Sequence, residues 1–420
     1  MLPLEKSWYR KLLIIALVLG GVGGLLVLLF MSLTDTVTNF FYGASGAGWW
    51  SGNWWWIPLT AVGGLIISLL RKAWKIPPKV PGAISLANQA WIDTGQAPYW
   101  VAISAVSLMM GASLGPSFAL VVMGGGLGSW LVSRLGQQES EEARQEFTLT
   151  GMAGGLGASF SAPLFATILA SELSPTAKRN YVSAFIPQII AATIGFLIFF
   201  SVTGSSILGS YELPPYDYNS IHILTGALLG ILSAFVLILF ALIKKFVSKT
   251  VELIKNPHVL GLVAGGLVGL IAFALPLTAT SGSSQLAVEL KISPVMGIGL
   301  ITAVLFGKMF AIALSQSAGF LGGVVFPIIF IGGTAGVLVH QIFPEIPIAL
   351  AVAAMLAAVP GAFLKAPLTL IFIAVGTVSI APEGLIPIAI AVVTAHITLA
   401  IIHTYITNKR NTPLQAKETD

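Results

Sequence analysis

The residues best placed to do chemistry in this chain are glycines and prolines, because of the backbone they leave unpaired. Gly111-Ala112-Ser113-Leu114-Gly115-Pro116 leads into Gly124-Gly125-Gly126-Leu127-Gly128 and then Ala162-Pro163-Leu164. Gly322-Gly323-Val324-Val325-Phe326-Pro327 leads into Gly332-Gly333-Thr334-Ala335-Gly336 and then Ala366-Pro367-Leu368. In each copy glycine and proline open an apolar helix, a run of small residues follows, and Ala-Pro-Leu opens another helix. A helix that starts inside a membrane presents N–H groups without partners and the positive end of its dipole. Two such ends aimed at one point hold an anion without a full positive charge. Such binding is favourable yet weak, as conduction requires. Gly/Pro-interrupted apolar segments at matching places in two halves point to a site at a repeat interface.

The elements that carry these breaks are membrane helices. The chain has 420 residues, 56% hydrophobic and 9% charged, where a soluble domain carries about 25% charged residues. Stretches long enough to span a bilayer, about 20 residues, lie at 12–34, 183–208, 221–243 and 384–408, and broken ones at 100–133 and 309–339. The predicted fold is an all-α polytopic membrane protein. It is an inverted repeat of two halves whose broken, re-entrant helices meet at mid-membrane. The halves are 1–210 and 211–408, with a tail at 409–420. The Leu12–Thr34 run exceeds a signal-peptide core and reads as a retained helix. Lys6, Arg10 and Lys11 precede it, Arg71, Lys72, Lys75 and Lys79 follow the next span, and Lys409, Arg410 and Lys417 close the chain. The positive-inside rule therefore puts both termini in the cytoplasm. The tryptophans at 49, 50 and 54–56 then form an outer interfacial belt.

Side chains exclude several classes. With no cysteine there is no disulfide framework or thiolate site. The five histidines lack metal-ligand spacing, no nucleophile–base pair appears, and neither an enzyme nor a cofactor is expected. The +5 net charge sits in loops beside spans, which argues against a nucleic-acid partner. Gly124-x-Gly126 follows no strand, so it is no nucleotide loop, and both glycine runs read as close helix packing. Proton relays through membranes use acids and histidines. Of the 16 acids, all but Glu172 fall in polar or junctional segments. For Glu172 an ion pair or helix cap beside Lys178 and Arg179 is favoured over a proton carrier. His396 and His403 share a helix face, and packing is favoured there too. Lys308 and Lys365 lie in apolar sequence, where a lysine is costly.

The ordered motifs resemble the CLC family of chloride channels and proton-coupled chloride transporters, from about residue 50 to the tail. Ala112-Ser113-Leu114-Gly115-Pro116 stands where the family has Gly-Arg-Glu-Gly-Pro. Gly323-Val324-Val325-Phe326-Pro327 matches its Gly-x-Phe-x-Pro, and Ala279-Thr280-Ser281-Gly282 its Ala-Thr-Ser-Gly. The resemblance implies anion-binding N–H groups at Leu114, Gly115, Gly323, Val324, Val325 and Phe326. It implies a gate position at Leu114, where the family has a glutamate, and a proton-glutamate position at Leu173. Inner-gate positions fall at Pro78, in Pro77-Pro78-Lys79-Val80-Pro81, and at Gln415, in Thr412-Pro413-Leu414-Gln415. Lys79, Lys308 and Lys365 become candidates for attracting anions inward, Lys308 and Lys365 equally for snorkelling. The resemblance also implies a homodimer, with 183–200 and 384–403 as its expected interface.

The expected function is passive transport of a small inorganic anion, chloride first, without proton coupling. Leucine cannot carry charge or swing as a carboxylate gate. The rivals are a coupled transporter of another anion that uses Glu172 or a histidine, and a non-transporting assembly or sensor protein.

Overall fold

Hydrocarbon offers no partner to a backbone N–H or C=O, so a chain this apolar must close its hydrogen bonds inside helices. The computed structural model describes residues 2–43, 52–77, 79–136, 140–160, 162–173, 181–208, 210–378 and 380–415, with backbone only at Ser159 and 409–415. Among them are sixteen α-helices. The first eight are α1 (Ser7–Tyr42), α2 (Trp56–Ala73), α3 (Ala83–Gln89), α4 (Ala97–Met109), α5 (Ser117–Arg134), α6 (Glu141–Leu156), α7 (Pro163–Leu173) and α8 (Tyr181–Thr203). The rest are α9 (His222–Val251), α10 (Pro257–Ala274), α11 (Ser283–Ile292), α12 (Ile298–Ser317), α13 (Val325–Ile342), α14 (Ile348–Leu364), α15 (Pro367–Val378) and α16 (Leu385–Gln415). Eight are long and apolar enough to cross a membrane.

The two broken stretches break as expected. The first divides into α4 and α5 around 110–116, the second into α12 and α13 around 318–324. Two glycines make the turns: Gly111 at φ 81° and Gly319 at φ 86° occupy the left-handed region, which a Cβ disfavours. A Cβ on Gly111 would also lie 1.7 Å from the Tyr42 hydroxyl.

The small-residue runs bring helix backbones together. A Cβ on Gly124 would meet the Gly151 carbonyl at 2.2 Å, and one on Gly128 the Phe147 carbonyl at 2.1 Å, which locks α5 on α6. Gly332 and Gly336 do the same against Met355 and Ala351, at 2.5 and 2.6 Å, and lock α13 on α14. These two helix pairs form the core, and α14 is buried along nearly its whole length.

The register of the repeat differs from the one proline suggests. Ser107 pairs with Ser315 in structural role, Gly111 with Gly319, Gly115 with Gly323, and Ser117 with Val325 at the helix starts. All are separated by the same number of residues, as are Gly124 and Gly332. Pro116 therefore corresponds to Val324, and Pro327 lies in the first turn of α13. Proline is tolerated at either place because first-turn N–H groups have no intrahelical acceptor.

Candidate anion pathway

The chains leading into α5 and α13 bind each other. Gly115 N–H donates to the Gly323 carbonyl and Gly323 N–H to the Gly115 carbonyl, both at 2.7 Å, in an antiparallel bridge. Reciprocal contacts flank it. Ser113 N–H donates to Ser315 Oγ at 3.1 Å, and Leu321 N–H to Ser107 Oγ at 3.0 Å. Leu114 N–H turns back to the Ala112 carbonyl at 2.7 Å. Three of the six N–H groups expected to face an anion, those of Leu114, Gly115 and Gly323, are thus engaged within the protein. The reason is that backbone groups freed at membrane depth must find partners inside the protein, and at Gly115 and Gly323 each broken segment supplies the other's.

The unengaged donors lie one step further along each helix. The first backbone bonds run from Leu120 N–H to Pro116 O in α5 and from Ile328 N–H to Val324 O in α13. No side chain caps either start. Among the described residues no acceptor stands on the N–H groups of Ser117 and Phe118, or of Val324, Val325 and Phe326. Beside them the Ser117 hydroxyl is buried without a hydrogen-bond partner. A Cβ on Gly323 would sit 1.7 Å from that Oγ, so the hydroxyl lies directly over the bridge. Sequence reasoning passed over Ser117, although its place after Gly115-Pro116 was the available signal.

Two cavities reach this junction from opposite ends of the molecule. One, of about 400 Å³, ends on Leu114 and Pro116 and is walled mainly by hydroxyls and amides, including Thr38, Thr203, Ser281 and Gln285. The other, of about 910 Å³, ends on Phe118 and Gly322–Val325 and carries Arg71, Lys79 and Lys244. We call them the hydroxyl-lined and the basic cavity. Leu114 is fully buried between them, its Cβ 2.6 Å from where a Cβ on Gly322 would stand. Phe326 and Phe160 stack at 6.4 Å and 10° beside it. A third space, of about 30 Å³, joins Ser117 and Val325 to Leu173 between apolar walls such as Leu156, Phe160 and Leu169.

The other candidates are distributed as follows. Lys79 is exposed on the wall of the basic cavity. Lys365 is exposed at the left-handed C-cap of α14. Lys308 lines neither cavity and does not snorkel. It is fully buried, and its ammonium donates to the carbonyls of Thr278, Ala279 and Thr280 at 3.1, 3.4 and 2.7 Å, with the Phe330 ring 5.1 Å away. Three convergent carbonyls outweigh any route to the surface. Pro78 and the side chain of Gln415 lie outside the described residues, as do Lys178 and Arg179.

Glu172 is a helix cap, not of its own helix but of α15. Its Oε1 accepts from Leu368 N–H at 2.9 Å, and its Oε2 from Thr369 N–H at 3.0 Å and from the Thr369 hydroxyl at 2.5 Å. The carboxylate thus occupies the N-terminus of the second Ala-Pro-Leu helix. Glu172→Gln is expected to leave anion flux unchanged and to cost about 1 kcal/mol of stability, as for a weakened N-terminal cap. Thermal unfolding in detergent measures the second, liposome flux the first.

Two acids that the sequence reading placed among polar or junctional segments are buried. Glu289 is fully buried in α11, where its Oε2 accepts from the Thr334 hydroxyl at 2.7 Å, and Glu146 is buried in α6. Both sit in short helices whose mixed composition reads as junctional, while packing around them is set by distant elements. Four of the five histidines are held by hydrogen bonds: His222 by Tyr216 and Asn219, His340 by Ile346 and His396 by Val392 locally, and His258 by the distant Ser68.

Comparison with known proteins agrees with this geometry. A solved CLC-type fluoride/proton antiporter superposes with a TM-score of 0.75 at 20% identity, covering 92% of this chain and 95% of that one. A slow cyanobacterial Cl−/H+ antiporter gives a TM-score of 0.79 at 16% identity, covering 93% and 95%. A eukaryotic CLC transporter gives 0.68 at 16%, covering 94% and 73%. The uncharacterized protein MJ0305 of Methanocaldococcus jannaschii is 37% identical over 200 residues, 46% of this chain and 49% of that relative, so the match spans about half of each. The sequence model of the voltage-gated chloride channel family matches residues 63–400, and the chain is a member of that family of membrane anion-transport proteins.

Proposed function

We propose that this protein conducts small inorganic anions passively, chloride first, between the hydroxyl-lined and basic cavities. One observation carries the reading. Two uncapped helix starts and an unpartnered serine hydroxyl converge on a buried point that no carboxylate among the described residues occupies. Oriented N–H and O–H dipoles stabilise an anion there without the tight hold of a fixed charge. The donors we assign are the N–H groups of Ser117, Phe118, Val324, Val325 and Phe326 and the hydroxyl of Ser117.

The absence of proton coupling rests on three features. The gate position is Leu114, Glu172 is engaged as a cap, and the space from Leu173 to Ser117 has apolar walls. That space, about 30 Å³, approximates a single water and gives it few polar partners, so it does not carry a proton wire. The basic cavity faces the cytoplasm, by the charge bias around α1 and α2, and both termini lie on that side. The exposed apolar side chains of α8 and α16, such as Leu197, Phe200, Val393 and Ile397, pair two copies into a homodimer. No chemical step is part of this reading.

The deciding experiment loads liposomes with chloride, nitrate or fluoride and releases them with valinomycin, while a pH electrode follows the bath. Anion efflux without proton movement is the expected outcome. Proton uptake in fixed ratio to the anion, as in an antiporter of the kind this fold resembles, would overturn the passive reading. Efflux of no anion would leave the assembly or sensor class. In the same assay Leu114→Ala is expected to speed efflux about tenfold, since it removes the side chain that fills the space between the cavities. It should also lower stability by about 2–5 kcal/mol, as large-to-small core changes do.

A further inference from the structure

The two cavities differ in charge as well as in size. The basic cavity carries Arg71, Lys79 and Lys244. On the hydroxyl-lined wall, among the described residues, Asp35 is the one charged side chain. It projects from the last two turns of α1, flanked by Thr34, Thr38 and Asn39, on the same cavity whose closed end is Leu114. No cation stands within ion-pair distance of it among the described residues. An acid on a membrane helix that faces a cavity rather than lipid is a functional candidate by default.

We infer that Asp35 sets the entry barrier for anions at the hydroxyl-lined mouth, and so makes conduction asymmetric between the two sides. The inference rests on the anion-conducting reading above. A carboxylate on a narrow, partly low-dielectric mouth repels each approaching anion, whereas the opposite mouth, with three cations, concentrates them. The other ionisable groups nearby are engaged elsewhere. Lys308 donates its ammonium to the Thr278 and Thr280 carbonyls, with Glu289 in electrostatic reach of it. Tyr211 donates to the Ser283 carbonyl at 3.5 Å, and Tyr42 to that of Met110 at 3.2 Å. None of them lines the cavity, and none is within ion-pair distance of Asp35 among the described residues.

The test is a planar-bilayer recording of the full-length protein with Asp35→Asn and Asp35→Lys. Current carried by anions that enter from the hydroxyl-lined side should rise roughly two- to fivefold in Asp35→Asn, as expected for one charge at 8–10 Å in a wet mouth. It should rise further in Asp35→Lys. Entry from the basic side should stay within experimental scatter. The gain should be large near 0.01 M salt and vanish near 1 M, where the screening length falls from about 30 to about 3 Å. Packing damage would lower both variants and ignore salt. Equal currents in wild type and both variants, or a gain that persists at 1 M salt, would overturn the inference while leaving anion conduction intact. Current in none of the three proteins would instead overturn the conduction reading, and this inference with it.

Discussion

Lys308→Met is expected to destabilise the protein by about 3–5 kcal/mol, the range for removing one partner from a buried charged network, and to lower anion flux in whatever protein folds. The ammonium is the shared donor of three consecutive carbonyls, those of Thr278, Ala279 and Thr280. Methionine fills the volume but leaves the Ala279 and Thr280 oxygens without that donor and Thr278 with only the Ser113 hydroxyl, at a cost of about 1–3 kcal/mol for each oxygen left unpaired. It also leaves Glu289 without the neighbouring positive charge that attracts it. The functional loss follows through Ser113, whose hydroxyl donates to the same Thr278 carbonyl at 3.0 Å. If the 278–280 segment moves, so does the residue before Leu114. Thermal unfolding in detergent is the direct measurement. The Lys308→Met/Glu289→Gln double variant should recover part of the loss. A Lys308→Met protein as stable as wild type would refute the assignment.

Gly323→Ala should cut anion flux at least tenfold. An added Cβ would lie 1.7 Å from Ser117 Oγ, 2.8 Å from Phe118 N and 2.9 Å from Ser117 Cβ. The serine can rotate, but the backbone nitrogen cannot, so the bridge to Gly115 must open or α5 must shift. Either response displaces the donors proposed to hold the anion, and a 1 Å misplacement of such groups is enough for large losses. Ser117→Ala added to Gly323→Ala removes only the closest contact. Flux in that double variant should stay well below wild type, whereas Ser117→Ala alone should weaken transport only a few-fold. Flux from Gly323→Ala equal to wild type would show that the junction lies off the pathway.

What was legible in the sequence is what local chemistry dictates. Gly111 and Gly319 mark the turns, Ser117 and Val325 begin helices as the glycine–proline signals imply, and the glycine runs pack α5 on α6 and α13 on α14. Local signals misled where partners are distant. Nothing near Gly115 states that its N–H will be taken by Gly323, and proline appeared to set a register that the glycines and serines set instead. Glu172 looked like the cap of a nearby end and caps α15, almost two hundred residues on. Lys308 read as a candidate for the pathway because its three acceptors come from a loop about thirty residues earlier. Such pairings are settled by tertiary packing, which composition and periodicity do not encode.

The Gly115–Gly323 bridge also acts as a clock. Each of its two amide hydrogens is held by the other half of the molecule. Each can therefore trade for solvent deuterium only when the halves part at their centre, since exchange reports local opening. A transporter that rocks its halves would label these positions at a rate set by its turnover. A fixed conduit would carry millions of ions past them while they stay protonated. The rate of labelling at two glycines, with and without an anion gradient, thus separates a moving machine from a standing channel without measuring transport at all.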